Sequence, residues 1–192
     1  MSAAIYTIGH SNHAMVRLID LLQGAGIDCV VDVRSVPFSR RNPQFSQKPL
    51  TASLKDSGIE YWFQGDALGA RPKDPDCYEG GKVSYARIAA TPAFQEAVAA
   101  LIDESHAKRL ALMCAEKEPL DCHRTILVGR ALVQRGCELA HILANGRIAP
   151  QAEIEERLLR LTKERSDLFA DRDAALARAY DKRGAQMAFS QD

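Results

Sequence analysis

Two thiols, an imidazole, a carboxylate and a guanidinium fall within residues 114–124, as Cys114-Ala115-Glu116 and Cys122-His123-Arg124. Those residue types form a nucleophile with its base, or an anion site. The spacing predicts a helix opening at Asp121 or Cys122, where the macrodipole and free backbone N–H groups favour a thiolate, with His123 and Arg124 adding positive charge. Glu116 is the matching general acid or base. Upstream, His10 and Ser11 follow one apolar run, and Asp32 and Arg34 end another. Taken singly, each residue also has a structural use: Asp32 and Arg34 as a buried ion pair, Cys114 as a small apolar filler, Cys122 turned inward behind an Asp121 cap.

A second chemistry lies between Arg34 and Lys55. Arg34, Arg40, Arg41, Lys48 and Lys55 occur there without one acidic residue, with Phe38 and Phe45 interleaved and Tyr61-Trp62-Phe63 following. In a chain with 25 Lys+Arg against 25 Asp+Glu, that segregation is the partner signal. Arginines grip phosphates and aromatics stack on bases.

The elements that must position these groups alternate strand and helix. Ala4 to Ile8, Cys29 to Val33, Ile59 to Phe63, Leu110 to Cys114 and Glu138 to Leu143 read as strands, the last being the final one. Helices are expected with Val16, Ile19 and Leu22 inward after a Ser11 or Asn12 cap, near Leu50 to Ser57, from the Thr91-Pro92 start, and with Ile126, Leu127, Ala131 and Leu132 inward up to Gly136. Pro37, Pro43 and Pro49 break one long loop, and Gln64 to Gly81 forms another. From Pro150 onward a single charged helix, Glu153 to about Tyr180, is expected. The fold class is α/β: a Rossmann-like open parallel sheet with helices on both faces over residues 1–148, and a C-terminal helical extension, 149–192, packed on it. In such sheets the ligand crevice lies beyond the carboxyl ends of the strands, where His10, Asp32, Arg34, Cys114 and Arg124 are expected to line one concave site.

Spacing argues against three alternatives and leaves zinc and a disulfide open. A Cys-x₅-Arg phosphatase or rhodanese loop would place arginine where Leu120 stands. Pro75 and Asp76 occupy the place of the leading glycine before Gly81-Lys82, so no phosphate loop is formed. No Gly-x-Gly-x-x-Gly follows the first strand, against a dinucleotide enzyme. Zinc on Cys114, Cys122, His123 and His10 lacks a Cys-x-x-Cys anchor, and a Cys114–Cys122 redox disulfide has only proximity behind it. Cys122-His123-Arg124 resembles the reactive-cysteine motif of DNA alkyltransferases over three residues, with Asp121 where that family carries proline.

Thr7 to Ser11, Asp32 to Pro37, Ser39 to Phe45, Tyr61 to Gly69, and Cys114-Ala115-Glu116 through Cys122-His123-Arg124 together resemble the signature blocks of the domain-of-unknown-function family 488. The resemblance runs in order over roughly residues 5–143 and implies a compact α/β fold with this same residue set, without an established reaction. Apolar residues make up 46% and charged residues 26% of the 192, an ordinary globular composition. Five scattered cysteines and no signal-like or membrane-length apolar run lead to the expectation of reduced thiols in a cytoplasmic protein.

The expectation is therefore an enzyme, hydrolase or transferase, acting on a phosphate-bearing substrate, nucleotide or nucleic acid. Cys122, His123, Glu116, Cys114, His10 and Asp32 supply its chemistry, and Ser11, Arg34, Arg40, Arg41 and Arg124 its anion contacts. No cofactor is expected, and a homodimer through the C-terminal helices is. The alternatives are a non-catalytic nucleotide or nucleic-acid binding module, and a metal or redox protein using Cys114 and Cys122.

Overall fold

The structure is a computed structural model that describes residues 4–164 and 171–190. In chain order it comprises β1 Ala4–Gly9, α1 Met15–Gly24, β2 Cys29–Asp32, α2 Gln47–Asp56, β3 Glu60–Phe63, α3 Gly65–Leu68, β4 Tyr78–Glu79, β5 Lys82–Val83, α4 Tyr85–Ala90, α5 Pro92–Ser105 and β6 Leu110–Cys114. A π-wound segment Arg124–Gly129 then runs into α6 Arg130–Val133, followed by β7 Glu138–Ile142, β8 Ile148–Pro150, α7 Gln151–Thr162 and α8 Arg172–Met187. Six strands form one sheet in the order β3-β2-β6-β1-β7-β8. All its pairings are parallel except β7–β8.

The central strands carry apolar side chains on both faces, as strands covered by helices on either side must. Along β2 and β6, Val31, Leu110 and Leu112 point into one core with Phe94, Val98 and Leu101 of α5 and Leu127, Val128 and Leu132 from the segment before β7. Val30, Ala111 and Met113 point the other way, against Leu18, Leu21 and Leu22 of α1 and Leu50 and Leu54 of α2. A third cluster lies in the C-terminal region, where Ile154, Leu158, Ala175, Ala179 and Tyr180 pack on Leu120 and Ile126. The C-terminal helices thus turn their apolar faces onto the same chain. The sheet is also tied to them by a buried polar chain. Thr7 Oγ1 lies 2.8 Å from His141 Nδ1, His141 Nε2 lies 2.7 Å from Gln151 Oε1, and Gln151 Nε2 donates to the Tyr180 hydroxyl at 2.6 Å.

Several expectations are corrected by packing. α1 starts at Met15, without a side-chain cap from Ser11 or Asn12. Val16 is 66% exposed, because Leu18, Leu21 and Leu22 claim the inward stripe. Glu138–Ile142 is not the final strand: the chain turns back through Gly146 and adds β8 antiparallel at the edge. The single charged helix is two. α7 ends with Lys163 in the left-handed region (φ 59°) and α8 begins at Arg172; residues 165–170 of that expected helix lie outside the described residues. The loop from Gln64 contains helix α3 and, with Gly80 and Gly81 both at positive φ as a tight hairpin turn requires, the β4–β5 hairpin. Cys77 is 2% exposed, because its loop folds back onto the α5 core. The Thr91–Pro92 start holds: Thr91 accepts from the Phe94 amide. Among the described residues, no helix is long and apolar enough to cross a membrane.

Candidate active site

Strands β2, β6 and β1 adjoin in the sheet, with Gly9 in register with Cys114 and Asp32 with Met113. Their carboxyl ends therefore open side by side. The backbone ladder continues past them, as the His10 and Ser11 amides donate to the carbonyls of Cys114 and Ala115 at 2.9 Å each. Beyond this edge lies a cavity of ≈ 490 Å³, lined among others by His10, Arg34, Cys114, Glu116 and His123.

One wall is a fixed guanidinium. Arg34 donates through Nε to Asp32 Oδ1 at 2.8 Å and through Nη2 to Asp32 Oδ2 at 2.6 Å; its own amide also donates to Oδ1 at 3.1 Å. The Tyr61 hydroxyl donates to Oδ2 at 2.8 Å. This bidentate pair leaves Nη1 as the side aimed at the cavity, 3.2 Å from His10 Nε2. A guanidinium only donates, so His10 Nε2 must be bare and Nδ1 carries the hydrogen, donated to the Ser11 carbonyl at 2.9 Å. Burial, more than the nearby Arg34 charge, lowers the His10 pKa to about 4. Its ring leans on the buried Phe45, with centroids 4.4 Å apart. Phe45 of the basic arm is thus a core residue, while Phe38 stands 65% exposed at the cavity rim.

The opposite wall is the thiol–imidazole cluster. His123 Nε2 lies 2.9 Å from the Val33 carbonyl. A carbonyl only accepts, so Nε2 carries hydrogen and Nδ1 faces the sulfurs, 3.7 Å from Cys114 Sγ and 3.9 Å from Cys122 Sγ. Cys122 stands one residue before the helical turns, in extended conformation (φ −136°, ψ 138°). It is not at the first helical position, and its sulfur receives the Arg124 amide at 3.5 Å. Burial alone would raise the Cys122 thiol; the hydrogen bond with Cys114, the Arg124 charge and His123 outweigh it and hold Cys122 well below the ordinary thiol range. The hydrogen bond to Cys122, then burial, push Cys114 well above that range. Burial opposes protonation of His123, yet its bond to Cys122 raises it. Together these favour the proton on Cys114 and negative charge on Cys122, beside His123. Glu116 Oε2 lies 3.0 Å from Cys122 Sγ. Burial and then the Cys122 charge raise its pKa, so a proton is shared across that contact.

The expected residues thus divide. His10, Arg34, Cys114, Glu116 and His123 line the cavity. Asp32 is fully buried behind Arg34, and Cys122 stands behind Cys114. Arg124 is fully buried, donating to the carbonyls of Glu116 at 2.6 Å and Lys117 at 3.2 Å. It braces the loop that carries Glu116 and does not reach the cavity. Asp121, near it in sequence, pairs with Arg183. Ser11 bends through a left-handed conformation (φ 48°) and donates to Asn12 at 3.2 Å. Arg40 and Arg41 are exposed on the loop beyond the cavity-lining Ser39.

Sequence reading overlooked Tyr85, Arg71, Met187 and Phe189 as cavity residues. Arg71 stacks over Phe189 at 4.5 Å, and the Phe189 carbonyl accepts from the Val83 amide at 2.9 Å. Arg71 offered one signal, a lone cation in a Gly/Pro-rich loop. The C-terminal pair offered none, since only tertiary folding brings it here.

The cluster's position depends on glycine at the end of β1. A Cβ on Gly9 would lie 1.9 Å from the Glu116 carbonyl oxygen, the one that Arg124 braces. Gly9→Ala is expected to destabilise the fold by about 3 kcal/mol, at the upper end for over-packing because both partners are backbone. It should also displace Glu116. Urea unfolding reads the first effect and Cys114 alkylation the second; wild-type values in both would dismiss the close approach.

One protein-family model, the domain of unknown function DUF488, matches residues 14–131. No curated protein and no solved structure gives a significant match.

Proposed function

The chain belongs to the DUF488 family, and from that premise we propose that it is an enzyme acting on a phosphate-bearing substrate, nucleotide or nucleic acid, held on Arg34 and attacked by a thiol. The observation that carries this reading is the hydrogen bond from His123 Nε2 to the Val33 carbonyl. It turns the Nδ1 face to both sulfurs, across a cavity from a guanidinium whose Nη1, bonded to His10, keeps its second N–H for a ligand. A nucleophile, its base and an anion anchor on one cavity is the arrangement for acyl-, phosphoryl- or alkyl-group transfer.

Exposure divides the roles. Cys114 is the sulfur on the cavity wall. As it bonds to the electrophilic atom of the substrate, its proton passes to the Cys122–His123 pair. The bond to the leaving group breaks, and Glu116 returns a proton to that group. Water or a second substrate then releases the product and restores the thiol. Arg71 adds a second cation at the cavity, and Arg40 and Arg41 extend positive charge from its rim, which suits a substrate longer than one phosphate.

Iodoacetamide labelling read by peptide mass spectrometry tests this. Cys114 should label faster than the half-buried Cys137 despite lying deeper. Cys122→Ser should slow Cys114 by about 100-fold or more, the range of general-base assistance, and a nucleotide at low salt should protect it. Protection without fast labelling would favour the non-catalytic binding module. Labelling of Cys114 no faster than Cys137, with or without Cys122, would remove the nucleophile.

A further inference from the structure

Cys114 Sγ, Cys122 Sγ and His123 Nδ1 all lie within 4.8 Å of one another, and all three residues are buried. We propose that these three atoms form a zinc site whose fourth position opens on the cavity, and that zinc bound there silences the thiol chemistry. The inference rests on the reading that this cluster is the reactive centre, and it adds a regulator of that centre.

Distance is the first argument. In a tetrahedral zinc site with Zn–S near 2.3 Å and Zn–N near 2.0–2.1 Å, a sulfur and a nitrogen on the same ion stand about 3.6 Å apart. Here the two sulfur–nitrogen separations are 3.7 and 3.9 Å. Zinc therefore needs only a few tenths of an ångström of adjustment in these two separations.

Orientation is the second. A zinc-bound histidine donates its other ring N–H to a carbonyl or carboxylate, which fixes the tautomer and aims the ligating nitrogen. The His123–Val33 bond is of that kind, and it comes from the end of β2, a different strand from the one that supplies Cys114. The ring is held whether or not an ion is present.

Charge is the third. Two thiols and the Glu116 carboxyl crowd one buried region, with Cys122 Sγ 3.0 Å from Glu116 Oε2. A divalent cation offsets the negative charge such a cluster gathers. Two Zn–S bonds and one Zn–N bond form, and the protons held by the sulfurs and by His123 Nδ1 leave to solvent.

The fourth position follows from exposure. Cys114 and His123 line the cavity while Cys122 is behind them. The open side of the ion therefore faces Arg34, where water or an anionic ligand completes the tetrahedron. A three-ligand site of this kind exchanges its ion more readily than a closed four-ligand one, which suits a reversible inhibitor. Cys114 and Cys122 are separated by seven residues and His123 adjoins Cys122, so no Cys-x-x-Cys spacing announces the site.

The reduced, metal-free chain is titrated with Zn²⁺ in competition with a coloured chelator, and with Co²⁺ followed by its thiolate charge-transfer and d–d absorption. One ion per chain is expected, with a tetrahedral cobalt spectrum. Each of Cys114→Ser, Cys122→Ser and His123→Gln should weaken binding by more than about 100-fold, since outer-shell partners alone carry about 10–100-fold. Cys29→Ser should leave binding unchanged. On the unaltered protein, Zn²⁺ should abolish iodoacetamide labelling of Cys114 and a chelator should restore it, so the proposal stays testable if a variant fails to fold. Loss of the chelator competition, an octahedral cobalt spectrum, or equal binding by the Cys114→Ser/Cys122→Ser double variant would overturn the zinc site. Rapid Cys114 labelling in the same samples would still stand for the thiol reading, so the two fail separately.

Discussion

Replacing Asp32 by alanine is expected to lower folding stability by about 3–5 kcal/mol, the range for removing one partner of a buried ion pair. Asp32 is fully buried and Arg34 is 6% exposed. The carboxylate accepts two side-chain bonds and one backbone bond from Arg34, and a fourth from the Tyr61 hydroxyl. Alanine would leave a buried guanidinium without those acceptors. Asp32→Asn keeps acceptor capacity on one oxygen and should cost less. Removing both charges, as Asp32→Leu with Arg34→Met, should cost less than Asp32→Ala alone, because desolvation of the pair is then relieved. Urea unfolding gives all three values. An Asp32→Ala protein within about 1 kcal/mol of the parent would mean that Arg34 is not held by this pair.

Acid should unfold the protein well before its carboxylates titrate. Burial, the largest cause in each case, lowers both His10 and His141 to about 4, whereas a histidine in an unfolded chain titrates near 6.5. Between these values the unfolded chain takes up protons that the folded one refuses. The stability from neutral burial is therefore complete above pH 6.5 and lost as pH falls toward 4, by about 3 kcal/mol for each histidine. His123 is shifted upward and opposes this in part, contributing stability at low pH. Urea midpoints should hold above about pH 6.5 and fall from there to about pH 5, and His141→Gln should flatten that slope by roughly half. A midpoint constant over that interval would show that the two rings accept protons without strain.

The strands and the edge they share were legible because two signals coincide. Runs such as Val30-Val31 and Leu110 to Cys114 are apolar on both faces, and each ends in a titratable residue. Alternation with helices then implies parallel pairing, and parallel pairing brings the strand ends together. What could not be read is which atoms reach the cavity. Arg34 and Arg124 look alike as cations after strands, yet one is turned by Asp32 toward the cavity and the other is drawn inward by two backbone carbonyls. The aromatic arm divides in the same way. Phe45 serves the α2 core and the His10 ring, and Phe38 the rim. Sequence periodicity carries no record of either choice, since individual hydrogen bonds and loop packing set each one, not the face of a helix or strand. The antiparallel β8 edge escaped notice because three residues, Ile148–Pro150, are too few to show alternation.

The tail after α8 reaches across to the β4–β5 hairpin, and Met187 and Phe189 close one side of the cavity. Both lie beyond the span shared with the family, residues 14–131. Cys114, Glu116, Cys122 and His123 therefore come from the family span, while part of the cavity wall is contributed from outside it. A substitution at Met187 or Phe189 thus reshapes the cavity wall while leaving the cysteine–histidine cluster in place.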